Sequence, residues 1–167
     1  MHQTLSTLAF AAGLLLAMPA QAAGVVEVKF TEPEKYIDIG WGSFERERNL
    51  AALAQSFQLL AKDLPDGQTL KVEVLDVDLA GEPRMGAAHD LRIVRGGVDW
   101  PRMELRYTLQ AGNTTVKTGS DKLSDMNYLF ASSPARSHEG SLPYEQRMML
   151  RWFADTFTPN PSKTAKP

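Results

Sequence analysis

A helix-period stripe set between two strand-period runs constrains this chain more than any other feature. Leu50, Leu53, Ala54, Phe57, Leu60 and Leu64 recur at spacings of three and four, so they line one side of a helix that must bury that side. Upstream, Val26, Val28 and Phe30 alternate with Glu27 and Lys29, the pattern of a half-buried strand. Downstream, Leu70, Val72 and Val74 alternate in the same way. A strand, a long helix and a second strand form a right-handed crossover that sets the two strands parallel. Ser43 is the expected N-cap, with Glu45 and Glu47 in the first turns where the helix dipole favours carboxylates. Leu64-Pro65-Asp66-Gly67 is the expected stop.

The remaining elements follow by period. In the strand from Leu70 to Leu79 the alternation slips at Val74-Leu75, which demands either a bulge or a strand covered on both faces. Residues 81–89 read as a loop and Leu91 to Val94 as a short strand. Met103, Leu105, Tyr107 and Leu109 alternate with charged and polar residues, and Ala111-Gly112-Asn113 turns the chain into a last strand, Thr114 to Leu123. Ala131 to Gly140 is polar. A second helix from Pro143 to Phe157 buries Tyr144, Met148, Met149, Trp152 and Phe153. The expected fold is a single α+β domain over 23–157, a two-layer sandwich with a mixed β-sheet in the order β-α-β-β-β-β-α and two helices packed on one face. Residues 158–167, rich in proline and without an apolar pattern, read as a disordered tail.

The leader sets the expected address. Leu5 to Met18 is apolar or small, Pro19 breaks the run, and Ala20-Gln21-Ala22 supplies a small-x-small cleavage pattern. Residues 1–22 therefore read as a signal peptide cut between Ala22 and Ala23, and the protein is expected outside the cytoplasm. The apolar run of about 14 residues is shorter than the roughly 20 a spanning helix needs. Removing 22 of 167 residues leaves 145, enough to bury a core without covalent help. The chain has no cysteine, so it forms no disulfide and offers no acylation site for a lipid anchor. A formal net charge of −2, with 18 basic and 20 acidic residues interspersed, excludes the basic footprint of nucleic-acid binding.

Chemistry has few footholds. Asp76-x-Asp78 places two carboxylates on one face of a strand, about 7 Å apart, where they would share a hard cation or divide acid and base roles, with His89 and Asp90 approaching from a loop. The competing expectation is a cross-strand ladder in which Arg92, Arg95, Arg102 and Arg106 pair with those acids. Asp76, Asp78, His89, Asp90, Arg92 and Arg106 are the candidate ligand- or partner-binding residues; no catalytic or metal-ligating residue is assigned. Gly40-x-Gly42 before a helix lacks a third glycine: Glu45 stands there, and a carboxylate repels a phosphate. A tight turn with Trp41 as a packing lid is expected instead. His89 and His138 are the histidines left after the leader, and no zinc-binding spacing, Gly-x-Ser-x-Gly elbow or Ser-x-x-Lys pair occurs. Nothing in the sequence asks for a cofactor. Trp41, Trp100, Trp152, Tyr107 and Tyr128 are available to line a groove.

Several segments together carry a family likeness: Val26-Glu27-Val28, Pro33-Glu34-Lys35-Tyr36, Glu45-Arg46-Glu47-Arg48-Asn49-Leu50, Val74 to Gly81, Asp99-Trp100-Pro101 and Asp125-Met126-Asn127-Tyr128. Through them the chain resembles the bacterial domain-of-unknown-function 3016 family over essentially its whole mature length. That resemblance implies an exported protein of a Gram-negative envelope, hence the periplasm, and carries across no activity or catalytic residue. The expectation is a soluble periplasmic, non-catalytic binding or envelope accessory protein, monomer or weak dimer, holding an envelope protein or small ligand by a sheet face or edge strand. The alternative is a small carboxylate- or metal-dependent hydrolase using Asp76 and Asp78.

Overall fold

A computed structural model describes residues 23–84, 92–130 and 142–158. The leader, His89, Asp90 and the tail beyond Thr158 lie outside these residues. Eight elements are named: β1 Val25–Phe30, α1 Gly42–Leu59, β2 Gln68–Asp78, β3 Glu82–Pro83, β4 Arg92–Ile93, β5 Arg102–Ala111, β6 Thr114–Ser124 and α2 Pro143–Phe157. The main sheet has the order β1-β2-β5-β6. β1 and β2 are parallel, and the pairs β2–β5 and β5–β6 are antiparallel. The α+β class and the mixed sheet expected from the periodicities are what the chain forms.

The slip at Val74-Leu75 is a bulge: the β2–β5 register shifts between Val74 and Asp76. One extra residue returns Val77 and Leu79 to the face already occupied by Leu70, Val72 and Val74, and all five are buried. Met103, Leu105, Tyr107 and Leu109 continue that face across β5. Leu53, Phe57, Leu60 and Leu64 from α1 and its final turn, and Met148, Met149, Trp152 and Phe153 from α2, complete one apolar cluster with it. Both helices thus cover the same side of the sheet. The other side carries the charged alternates and faces solvent.

Two local expectations need correction. The short strand around Leu91 to Val94 does not join the main sheet. Its residues Arg92 and Ile93 pair with Pro83 and Glu82, a segment read as loop. A strand of two residues ending in a proline, which has no N–H to donate, leaves no periodic signal. At α1, the N-cap is Trp41 rather than Ser43. The Glu45 carboxylate reaches back to accept the Trp41 N–H at 2.7 Å, so the cap is supplied from inside the helix. Gly40 makes room for this: its φ is 113°, and a Cβ there would meet Glu45 Cγ at 2.7 Å.

Candidate functional site

The carboxyl ends of β1 and β2 and the N-termini of both helices meet at one end of the molecule. In open sheets with parallel strands this is where ligands bind. The chain between β1 and α1 is tied down there from several sides. Tyr36 Oη donates to Val74 O at 2.9 Å, and burial, its leading influence, pushes the phenol up to about 12. Asp38 N donates to Val77 O at 3.0 Å and Leu79 N to Asp38 O at 3.1 Å, extending the parallel pairing past β1. Asn49 Nδ2 donates to Ile39 O at 2.9 Å.

This fixed turn leaves large apolar side chains in water. Ile37 is 69% exposed, Trp41 59% and Phe44 76%. The expected packing lid at Trp41 is therefore not formed, because Glu45 and Asn49 occupy the space under the turn. A cleft of about 470 Å³ opens beside it, lined by Pro33, Tyr36, Ile37, Trp41, Arg46 and Pro83 among others. Phe44 carried a signal that was legible: it stands off the Leu50–Leu64 stripe, so an apolar residue there has no core to enter. Ile37 carried none.

Behind the turn, Arg92 reaches inward from β4. Its Nε donates to Ala80 O at 2.8 Å, and one terminal nitrogen serves Gly81 O and the Asp38 carboxylate, each at 2.5 Å. Its other terminal nitrogen, Nη1, is buried with no partner among the described residues. Glu145, 2% exposed, accepts the Ala80 N–H at 2.7 Å. Burial pushes its carboxyl up, and the Ala80 hydrogen bond and the Arg92 charge oppose that only in part. Arg92 and Glu145 share the wall of a cleft of about 540 Å³ with Glu45, Asn49 and Tyr144. Carboxylates on the first turns of α1 and α2 disfavour an anion there.

The other sequence candidates lie on the open sheet face. Asp78 Oδ2 accepts Arg102 Nε at 2.9 Å. Arg106 pairs with Glu73 at 3.0 Å, and Glu73 also accepts Thr31 Oγ1 at 2.7 Å and Lys29 Nζ at 3.3 Å. The Thr31 and Lys29 hydrogen bonds lead in holding the Glu73 carboxyl below its ordinary range. Lys122 pairs with Glu104. This is the cross-strand charge ladder. Asp76 stands apart from it: it lies opposite Glu104, and its Oδ1 accepts the Ile37 N–H at 2.9 Å. Asp76 and Asp78 thus share a face but serve different partners. Arg92 was expected in the ladder and is absent from it, since β4 left the main sheet. Among the described residues no three metal-ligating side chains gather. The aromatic residues do not assemble a groove. Tyr107 and Trp152 stack edge-on in the core, at 5.6 Å between centroids, while Trp41 is exposed.

Fold and site define a class: a two-layer α+β protein with a mixed four-stranded sheet, one charged open face, and an apolar turn at the end of its parallel pair. A family model described as "Protein of unknown function (DUF3016)" matches residues 24–155, and the chain belongs to that family. Neither a curated protein nor a solved structure matches it. No helix among the described residues is long and apolar enough to cross a membrane.

Proposed function

We propose that this is a periplasmic, non-catalytic binding or envelope accessory protein that holds a partner protein at the turn 36–44. The observation that carries the reading is the exposure of Ile37, Trp41 and Phe44 on backbone pinned by Tyr36, Asp38, Glu45 and Asn49. Large apolar side chains in water on a rigid frame are the usual anchors of a protein interface, because little conformational freedom remains to be lost on docking. The leader supports the periplasm. On the open sheet face the ladder acids pair with basic neighbours and Asp76 accepts the Ile37 N–H, which supports binding over catalysis.

The test is capture of partners from the envelope fraction by the tagged mature chain and by a Trp41→Ala/Phe44→Ala variant. Both side chains are exposed, so the variant should melt within about 0.5 kcal/mol of wild type for each substitution. A partner held by wild type and lost by the variant is the expected result. Retention of every captured protein by a folded variant would remove the turn from consideration.

A further inference from the structure

β6 is an edge strand of 11 residues. The opposite edge, β1, is partly closed: Gln58 Nε2 donates to Val26 O at 2.8 Å, and Gly24 runs close against Leu64. On β6, among the described residues, no side chain bonds to the strand backbone, Val116 is 54% exposed and the strand contains no proline. Such an edge is a template for another strand.

We infer that a second copy of this chain is its occupant, through antiparallel β6–β6 pairing about a two-fold axis at Gly119. The charges select this register. A two-fold normal to the sheet requires a residue opposite its own copy. Centred on Gly119, Lys117 lies opposite Asp121 of the partner subunit, twice by symmetry, within the part of β6 that follows its bulge at Val116. Centred on Lys117 or on Asp121, like charges oppose one another. Centred on Thr118 or Ser120, neither charge meets its complement.

Both charged side chains are already held on the helix side of the sheet. Lys117 Nζ donates to Thr156 O at 2.7 Å and lies 5.5 Å from the Phe157 ring centroid. Asp121 Oδ2 accepts Trp152 Nε1 at 2.8 Å, leaving Oδ1 for the copy. Gly119 lies over the Tyr107 ring, where a Cβ would meet Tyr107 Oη at 2.5 Å. That ring protects the strand at its weakest residue. The result is one continuous eight-stranded sheet, held weakly and screened by salt. The docking turn lies beside β1 and β2, at the other edge, so this inference stands apart from the proposed function.

Sedimentation of the mature chain at rising concentration and low salt should show a monomer–dimer equilibrium. Lys117→Glu should weaken association roughly tenfold, as two like-charge pairs replace two attractive ones, and Asp121→Lys should do the same. Mixing the two variants should restore a heterodimer, in which every cross-strand pair is attractive again. Because the chain has no native cysteine, Thr118→Cys/Ser120→Cys should cross-link under oxidation and Thr118→Cys alone should not. The cysteine variants leave the charged contacts of Asp121 untouched, so they report even if Asp121→Lys fails to fold. A monomer at every concentration, a dimer indifferent to Lys117→Glu, or cross-linking of Thr118→Cys alone would overturn the inference.

Discussion

Glu145 sits at 2% exposure and accepts a hydrogen bond from Ala80 N. Burial raises its carboxyl above 4.5, so the folded chain favours the protonated form more than the unfolded chain does. The stability this contributes is complete below 4.5 and is lost as pH rises through the raised value. Glu145→Gln keeps an acceptor for Ala80 and removes the titration. Thermal melts across pH should show the variant gaining on wild type as pH rises from about 4.5; a widening advantage for wild type would refute the assignment. Asp99 behaves in the opposite sense. Burial pushes it up, but N–H donors from Arg95 and Gly96 and the Tyr128 hydroxyl hold it below 3.8, so its contribution is lost as pH falls. None of this was legible at the residue level, because a buried carboxylate and a solvated one look the same in a helix sequence. Glu145 reads as a first-turn charge, and only the position of β2 beneath it makes it a core group.

At the scale of elements, periodicity carried most of the information. α2 runs over the expected Pro143–Phe157 and buries the expected Met148, Met149, Trp152 and Phe153, with Tyr144 half-buried and Glu145 and Gln146 buried beside them, and the hairpin turns at Gly112-Asn113 as expected. The misses fall where local sequence and tertiary contact compete. Ser43 looked like the cap of α1 by residue type, yet Glu45 performs that service across one turn. Glu45→Ala should therefore cost about 1 kcal/mol in chemical denaturation, whereas Ser43→Ala should cost a few tenths. The reverse order would return the cap to Ser43. β4 lies within the expected Leu91 to Val94, but β3 reads as loop and the pairing of the two outside the main sheet has no signal, because two-residue strands have too few side chains to show a period.

At the scale of the whole molecule, the two layers are joined by apolar contact, by side-chain hydrogen bonds such as Trp152 Nε1 to Asp121, and by a buried ionic clamp. Asp125, whose side chain is 1% exposed, leaves the end of β6 and accepts Arg147 Nε at 3.2 Å and its Nη2 at 2.9 Å from α2. Arg151 approaches the same carboxylate at 3.4 Å. Arg147→Ala leaves the buried Asp125 carboxylate to the longer Arg151 contact, and global unfolding should lose about 3 kcal/mol. Lys122→Ala, which breaks an exposed ladder pair, should lose under about 1 kcal/mol. Similar losses for the two would mean that the clamp is not buried in solution.

Side-chain period alone specifies the long strands and both helices, the apolar residues they turn inward, and the mixed sheet with its helices on one side. That period, and the burial it implies, is something every residue in an element reports together. Tertiary structure alone decided that the slip in β2 is a bulge, that Arg92 turns inward to Asp38 while Asp78 turns to Arg102, and that Trp41 stands in water. Each of these depends on which segment arrives as a neighbour. A charged or aromatic side chain takes its role from the partner it meets, and strands distant in sequence supply that partner only once the sheet has closed.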